Sequence, residues 1–235
     1  MAPPKAAATR LGRVPRGSKR LIVNADDLGY DPEIDRGIVE AHARGLLTSA
    51  TAMVDTPFAA EALRAAPASL GVGLHVVLDP ALPRAQAEVE LLRQIARFSS
   101  LRGAPPTHLD SHKHHHARPE VLAAFAGVAA TLGLPVRALD PPMRDFLRGS
   151  GVRTTDHFLG DADLRPCWTP ERLASALQAL PDGITELMCH PGYAPSHART
   201  SFGAEREVEL AALCDPRARE ALARAGAVLG TFGDL

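Results

Sequence analysis

The segment LIVNADDLGYDPEIDRGIVEAHARGLLTSATAMV, residues 21–54, contains the pattern that decides the fold. Its first residues, Leu21–Ala25, form a short apolar run, which is typical of a strand buried on both faces. Apolar residues near helical spacing then predict a helix over Pro32–Arg44, and Gly45 is a natural stop. Ser49–Val54 is predicted as a second strand. This order indicates an α/β unit.

The same alternation continues along the chain. Further strands are predicted at Gly71–Leu78, Thr107–Ser111, Val136–Leu139, Ile184–Cys189 and Val228–Phe232. Further helices are predicted at Pro57–Ala66, Val89–Leu101, Pro119–Leu132, Pro170–Leu180, Arg206–Leu213 and Pro216–Ala225, with an irregular stretch before Pro170. The alternation predicts a parallel α/β fold. We expect a single domain over residues 19–235 and a loose basic tail over residues 1–18.

The composition excludes several classes of function. The chain of 235 residues has a formal net charge of −1 and 4% aromatic residues, so neither nucleic acid nor an anionic membrane is an expected partner. No apolar run reaches the length of a membrane span. Three cysteines that lie far apart favour a reducing compartment over a disulfide framework. We therefore expect a cytoplasmic protein.

Polar clusters follow several predicted strands. They are Asp26–Asp27, His75, His112 and His190. In barrel-like α/β folds the carboxyl ends of the strands converge on one face, where the site forms. Polar residues at four strand ends are more informative together than any one of them alone.

The adjacent carboxylates of Asp26 and Asp27 end the first strand. Two such groups are costly to hold together without a nearby cation. Because successive side chains of a strand face opposite ways, one can bind a metal while the other stays free as a base. The alternative is a turn that caps the next helix. A lone histidine inside an apolar strand, such as His75, is likewise more often a core residue than a ligand.

The segment THLDSHKHHHARPE, residues 107–120, holds five of the ten histidines. His108, Asp110 and His112 share one face of an extended strand. Asp110 is placed to orient a ligand histidine from behind, and His112 enters the loop at the mouth of the site. The other three, at positions 114–116, are predicted as loop residues. The alternatives for the cluster are a polar loop or a weak metal sponge.

His190 follows the strand of ELMCHPGY, where Pro191–Gly192 turns the chain. A histidine held in this way suits a general acid or a ligand. Cys189 is discounted as a nucleophile for His190 because neighbours in a strand point apart. One aspartate and two histidines make a three-ligand metal site with an open position, which is the catalytic pattern. With a carboxylate base and a histidine acid, the set predicts metal-assisted hydrolysis of an amide or ester.

The ordered motifs NADDLG, GLH, THLDSH, RTTDHFLGD, ELMCHPGY and the closing TFGDL resemble the YdjC-like carbohydrate deacetylases, a family that includes diacetylchitooligosaccharide deacetylase and proteins associated with hopanoid biosynthesis. The resemblance implies a (β/α)-barrel-like fold, a distorted or incomplete TIM-type barrel related to the polysaccharide deacetylases. It implies a divalent metal held by Asp27, His75 and His112, with Asp26 as the catalytic base.

Several further expectations follow from the resemblance. His190 as the acid extends the likeness to the wider deacetylase class, and Asp110 and His108 are supporting residues. Zinc or magnesium is the expected metal, with manganese and cobalt as further candidates. The expected substrate is an acetylated amino sugar or short oligosaccharide, and a homodimer is expected.

Two features depart from the family pattern. The connection after the GLH strand is short, which suggests an open site, and the histidines of KHHH are more numerous than in relatives. Two rival functions remain open at this point. One is another metal hydrolase, such as a phosphoesterase, which would need an arginine or lysine for the phosphoryl group. The other is a non-catalytic metal-binding protein that uses the histidine run.

Overall fold

The structure is a computed structural model that describes residues 17–160 and 168–235. Most of the predicted tail lies outside the described residues, and so does Cys167. In the part of the chain that is described, no helix has the length and apolar character needed to cross a membrane.

Strands and helices alternate over most of the described chain. The strands are β1 Lys19–Leu28, β2 Ser49–Ala52, β3 Gly71–Val76, β4 Leu109–Ser111, β5 His157–Leu159, β6 Gly183–Cys189 and β7 Ala227–Leu229. The helices are α1 Pro32–Arg44, α2 Ala59–Ala65, α3 Arg84–Arg102, α4 Pro119–Leu132, α5 Pro141–Gly149, α6 Pro170–Gln178, α7 Glu205–Cys214 and α8 Pro216–Arg224, with short 3-10 helices at His112–Ala117 and Phe232–Asp234.

The described strands form one curled sheet in the order β4-β3-β2-β1-β6-β5, and every ladder is parallel. β1 is central, since it pairs with β2 and β6 and, over its first residues, with β7. Beyond β4 the curl continues through a bridge between Leu109 and Val136. The parallel α/β fold with an incomplete barrel is therefore confirmed.

The core lies between the sheet and the surrounding helices. β1 is buried from Leu21 to Leu28, as expected for a central parallel strand covered on both faces. α1 begins where the Asp31 side chain accepts a hydrogen bond from the backbone N–H of Glu33, and Pro32 occupies its first turn. Ile34, Ile38 and Ala41 form its buried stripe. The cap at Asp31 and the proline after it thus start α1 close to the carboxyl end of β1.

Three parts of the secondary-structure prediction were wrong. The predicted strand Val136–Leu139 is reduced to the single bridge at Val136, because α5 begins soon after it at Pro141. The stretch expected to be irregular contains α5 and β5. α3 begins at Arg84, earlier than the predicted Val89. Only alanines stand among the polar residues of its first turn, so the sequence there lacks the large apolar side chains by which the helix was recognised.

Candidate active site

The carboxyl ends of β1, β3, β4 and β6 open into a cavity of about 520 Å³. Five residues that the sequence places at strand ends line it together: Asp26, Asp27, His75, His112 and His190. The connection from β3 to α3 spans only residues 77–83, so it is as short as the sequence predicts. The cavity is therefore the candidate active site.

Asp27 has a left-handed backbone, with φ of 73°, and the β1–β2 register shifts between Ala25 and Leu28. This bulge cancels the alternation expected for Asp26 and Asp27. Both carboxylates come near the same imidazole: His75 Nδ1 lies 4.0 Å from Asp26 Oδ2, and its Nε2 lies 3.5 Å from Asp27 Oδ1. The prediction that strand alternation turns the two aspartates to opposite sides was therefore wrong.

Asp27, His75 and His112 converge on one point. Asp27 Oδ1 lies 3.5 Å from His75 Nε2 and 3.5 Å from His112 Nδ1. This oxygen is buried and has no hydrogen-bond partner among the described residues. Ligand atoms about 2.0–2.1 Å from a tetrahedral zinc ion lie about 3.4 Å apart, so the three atoms fit a shared cation. The residues present therefore fit a divalent metal.

Asp110 orients His75 from behind. Its Oδ1 lies 2.8 Å from His75 Nδ1, and its Oδ2 accepts a hydrogen bond from the Thr51 hydroxyl at 2.9 Å. Burial alone lowers the pKa of His75, but the charges of Asp110 and Asp26 outweigh burial and raise it to about 9. A bound cation at Nε2 must therefore displace a proton. The carboxylate–histidine arrangement is the one that supports metal ligands.

Arg137 contacts both oxygens of Asp26 and was missed at the sequence level. Its Nη1 and Nη2 donate to Asp26 at 2.8 and 2.7 Å. The same fully buried guanidinium bonds Glu186 Oε1 at 2.7 Å and lies 2.9 Å from Asp110 Oδ2. Burial raises the pKa of Asp26, but the charge and hydrogen bonds of Arg137 more than offset burial and hold that pKa far below its ordinary value. Asp26 is therefore ionised.

α7 contributes two more buried residues that the sequence analysis missed. Arg206 Nη2 donates to Asp27 Oδ2 at 2.5 Å, which leaves Oδ1 as the free oxygen. Glu209 Oε2 accepts the backbone N–H of His190 at 2.5 Å. A signal for both existed in AEREVEL, where charged residues occupy positions of the buried helix face.

His190 follows β6 and packs against Phe202, with 5.0 Å between the ring centroids. Its Nδ1 is buried without a hydrogen-bond partner in the described chain. Burial lowers the pKa of His190, against the opposing charges of Asp26 and Asp27. Cys189 turns away, because its thiol donates to the carbonyl of Asn24 at 3.3 Å.

His108 lies deeper in the barrel than the other site histidines. Its ring stacks on Phe232, with centroids 3.6 Å apart, and its Nε2 lies 3.1 Å from Asn24 Oδ1. The Asn24 amide in turn donates to Asp26 Oδ1 at 3.0 Å. A Cβ at Gly73 would lie 2.4 Å from the His108 ring, so this strand position requires glycine. His108 is thus connected to Asp26 through Asn24.

The histidine run divides among different surroundings. His112 joins the candidate metal ligands, and His114 also lines the cavity. Burial and the charge of Arg137 lower the pKa of His114 to about 3. His115 Nδ1 lies 2.8 Å from the carbonyl oxygen of Leu78, and His116 Nδ1 lies 2.7 Å from the Ser111 hydroxyl. The run is therefore not one cluster of equivalent ligands.

A family model described as "YdjC-like protein" matches residues 20–89 and 79–224. The chain belongs to this family. A carbohydrate deacetylase of Geobacillus stearothermophilus is 36% identical to this YdjC-like protein. The match covers 90% of the present chain and 96% of the relative. A chitooligosaccharide deacetylase of Serratia marcescens is 34% identical over 92% and 99%. The two matched segments overlap at residues 79–89. This overlap begins in the short connection after β3 and ends in the first turns of α3.

Solved structures resemble the YdjC-like chain as well. A protein of Enterococcus faecalis named for cellobiose-phosphate cleavage superimposes with a TM-score of 0.82 at 27% identity, covering 92% of this chain and 98% of the other. A family 4 carbohydrate esterase of Streptomyces lividans gives a TM-score of 0.54 at 17% identity, covering 92% and 94%. The second likeness concerns the fold alone.

Proposed function

We propose that this protein is a metal-dependent carbohydrate deacetylase, which hydrolyses the N-acetyl group of an amino sugar or short oligosaccharide to acetate and a free amine. The observation that carries the proposal is the unpartnered Asp27 Oδ1, which lies 3.5 Å from a nitrogen of each of two histidines inside the cavity. Family membership and the deacetylase names of its relatives support the reaction class.

Asp27, His75 and His112 are the proposed ligands. A divalent cation bound there supplies Lewis acidity for the acetyl carbonyl and lowers the pKa of water. Asp110 holds the His75 ring so that Nε2 faces Asp27. Arg206 donates to Oδ2 of Asp27 and so leaves Oδ1 as the oxygen that would bind the cation.

Asp26 is the proposed general base. It takes the proton of the attacking water while the water oxygen bonds to the acetyl carbon. Arg137 holds its carboxylate in one orientation through two hydrogen bonds. When the C–N bond breaks, His190 protonates the departing amine nitrogen. His190 must carry a proton to act in this step. Burial lowers its pKa, which makes the protonated form a stronger acid but a smaller fraction of the protein near neutral pH.

Zinc is the proposed metal, because two imidazole nitrogens and one carboxylate suit it better than magnesium, which prefers oxygen ligands. Magnesium, manganese and cobalt are the alternatives that an assay must compare. The homodimer and the cytoplasmic location stay predictions.

The rival functions find less support. A phosphoesterase needs cations for the phosphoryl group, and the two buried arginines here, Arg137 and Arg206, are already bound to Asp26 and Asp27. Lys113 and Arg199 line the same cavity and are the cations that remain for a phosphoryl group, so phosphate release is measured in the assay below. A non-catalytic metal-binding protein would need neighbouring histidines to bind ions together. Here His115 and His116 instead contact the Leu78 carbonyl and the Ser111 hydroxyl.

The test is a release assay on the full chain loaded in turn with zinc, magnesium, manganese or cobalt. Acetylated mono- and oligosaccharides are offered alongside sugar phosphates, and acetate, free amine and phosphate are measured. We expect acetate and amine in equal amounts with at least one metal. Phosphate release, or the absence of acetate release with every metal and sugar, would overturn the proposal.

A further inference from the structure

His114 is a histidine of the cavity to which the proposed reaction gives no role. Its neighbours His115 and His116 each bond to a group of the fold, the Leu78 carbonyl and the Ser111 hydroxyl. His114 makes no such bond to any described residue, and it lines the same cavity as His75 and His112. Its position therefore calls for an explanation that its neighbours do not need.

The backbone at this point adopts a conformation that L-residues rarely take. Lys113 has φ of 55° and ψ of 25°, and His114 has φ of 54° and ψ of 31°. Among the described non-glycine residues, only Asp27 shares a positive φ. Such backbone persists where the surroundings enforce it, and it concentrates at functional sites. Here it breaks the 3-10 helix directly after His112.

Aromatic neighbours hold the His114 ring. It stands edge-on to Phe158, with centroids 5.9 Å apart at 88°, and edge-on to His116, with centroids 6.0 Å apart at 70°. Its Nδ1 is buried without a partner in the described chain, and its Nε2 has no hydrogen bond to the described residues either. The protein thus fixes the ring plane but leaves the tautomer free, because the tautomer is set by the bond that one nitrogen makes.

A role in metal binding does not explain this arrangement. Two groups of described residues are spaced closely enough to share an ion, Asp27 with His75 and His112, and Asp26 with His75 and Asp110. His114 belongs to neither. Arg137 already bonds Asp26 and lies 2.9 Å from Asp110, so the second group is neutralised by a protein cation. The extra histidine therefore does not create a second metal position.

We propose that His114 binds the sugar, by hydrogen bonding one of its hydroxyl groups through Nε2. A sugar hydroxyl both donates and accepts a hydrogen bond, and an imidazole with a free tautomer can meet either need. The perpendicular contact with Phe158 limits rotation of the His114 ring, so the contact is preorganised. This inference rests on the proposed deacetylase function and names a substrate-binding residue for it.

The test compares His114→Asn with His115→Asn in the full chain. Asparagine tolerates left-handed backbone, so His114→Asn keeps the local conformation while its shorter side chain withdraws the imidazole. For deacetylation of an N-acetylated oligosaccharide we expect KM to rise about tenfold in His114→Asn, as for a lost hydrogen bond that leaves a polar group unpaired. KM should rise by a larger factor than kcat falls. His115→Asn should change KM less than about twofold, because its ring bonds the Leu78 carbonyl.

Metal content and thermal unfolding are measured on both variants, and binding of the deacetylated product is measured by calorimetry. An unchanged KM and product affinity in His114→Asn would overturn the proposal. So would a loss of bound metal or a fall in melting temperature large enough to account for the KM change. If the wild-type protein releases no acetate, the proposed function fails first. Calorimetry with the acetylated sugar then tests His114 by itself, and equal binding by wild type and variant would refute it.

Discussion

The guanidinium of Arg137 bonds both carboxylate oxygens of Asp26, although the two residues are 111 positions apart in the chain. Both side chains are buried, and Arg137 also bonds Glu186. Removing one member of such a buried pair leaves an uncompensated charge, which is strongly destabilising. A change at Arg137 is therefore expected to affect both the orientation of the proposed base and the stability of the barrel.

Arg137→Lys keeps the positive charge but cannot make the forked contact, because an ammonium is a point charge without the planar geometry. We expect kcat for deacetylation to fall about 100-fold, within the contribution of a positioned general base. Unpaired hydrogen-bonding groups should cost about 1–3 kcal/mol of unfolding free energy. Bound metal should stay at the wild-type level. Steady-state kinetics, metal analysis and urea unfolding measure the three quantities.

The matched control is Arg93→Lys, which alters another arginine–aspartate pair, formed with Asp55 on the surface. Exposed ion pairs contribute about 0–1 kcal/mol, so its stability and kcat should remain near wild type. Equal losses in both variants would show that the burial of Arg137 is irrelevant.

His112→Ala removes a proposed ligand that lies partly exposed at the cavity wall. We expect tightly bound zinc to be lost and deacetylation to fall to background. The free energies of unfolding of the metal-free variant and the metal-free wild type should differ by less than about 1 kcal/mol, because little buried contact is removed. The zinc content of purified protein and acetate release measure the outcome. His115→Ala, three residues away, should keep both zinc and activity. Retention of zinc and full activity by His112→Ala would refute the ligand assignment.

Much of the fold and part of the site could be predicted because the signals are local. An apolar run followed by a polar strand end is a short-range pattern, and parallel topology brings such ends together. Asp27, His75 and His112 were found in this way, helped by the family resemblance, and they lie around one cavity. Their roles as ligands remain a proposal.

The residues that were missed depend on distant partners. Arg206 is a helical arginine whose burial makes sense only beside Asp27, which lies 179 positions earlier. Arg137 sits in a short apolar segment that could be read as an ordinary strand, and its carboxylate partners come from three other strands. The histidine run failed for another reason. Residues expected to form a loop lie in a 3-10 helix that left-handed backbone at Lys113 and His114 interrupts, and nothing in four adjacent polar residues reveals this conformation.

His190→Asn tests the proposed acid through the leaving group. An amine nitrogen must be protonated as it departs, whereas a nitrophenolate leaves without a proton. We expect kcat on an N-acetylated sugar to fall by about 10²–10⁴, the usual contribution of proton transfer. Hydrolysis of 4-nitrophenyl acetate should fall by less than about tenfold, since no proton transfer to the leaving group is lost. The two rates are measured at the same metal content. Equal losses on both substrates would contradict the role as acid.

Asp35 on α1 gives the stability a pH dependence that is separate from the site. Its Oδ1 accepts the backbone N–H of Gly29 at 2.6 Å, and burial raises the pKa of Asp35 from 3.8 to about 7. Between these values the folded protein binds more protons than the unfolded chain, so this carboxyl makes the protein less stable as pH rises.

Asp35→Asn can still accept from Gly29 but cannot ionise. The variant should match wild type near pH 4 and become more stable by up to about 4 kcal/mol at pH 8. Urea unfolding of both proteins from pH 4 to 8 measures the difference, and a constant difference across that range would show that Asp35 does not titrate as proposed.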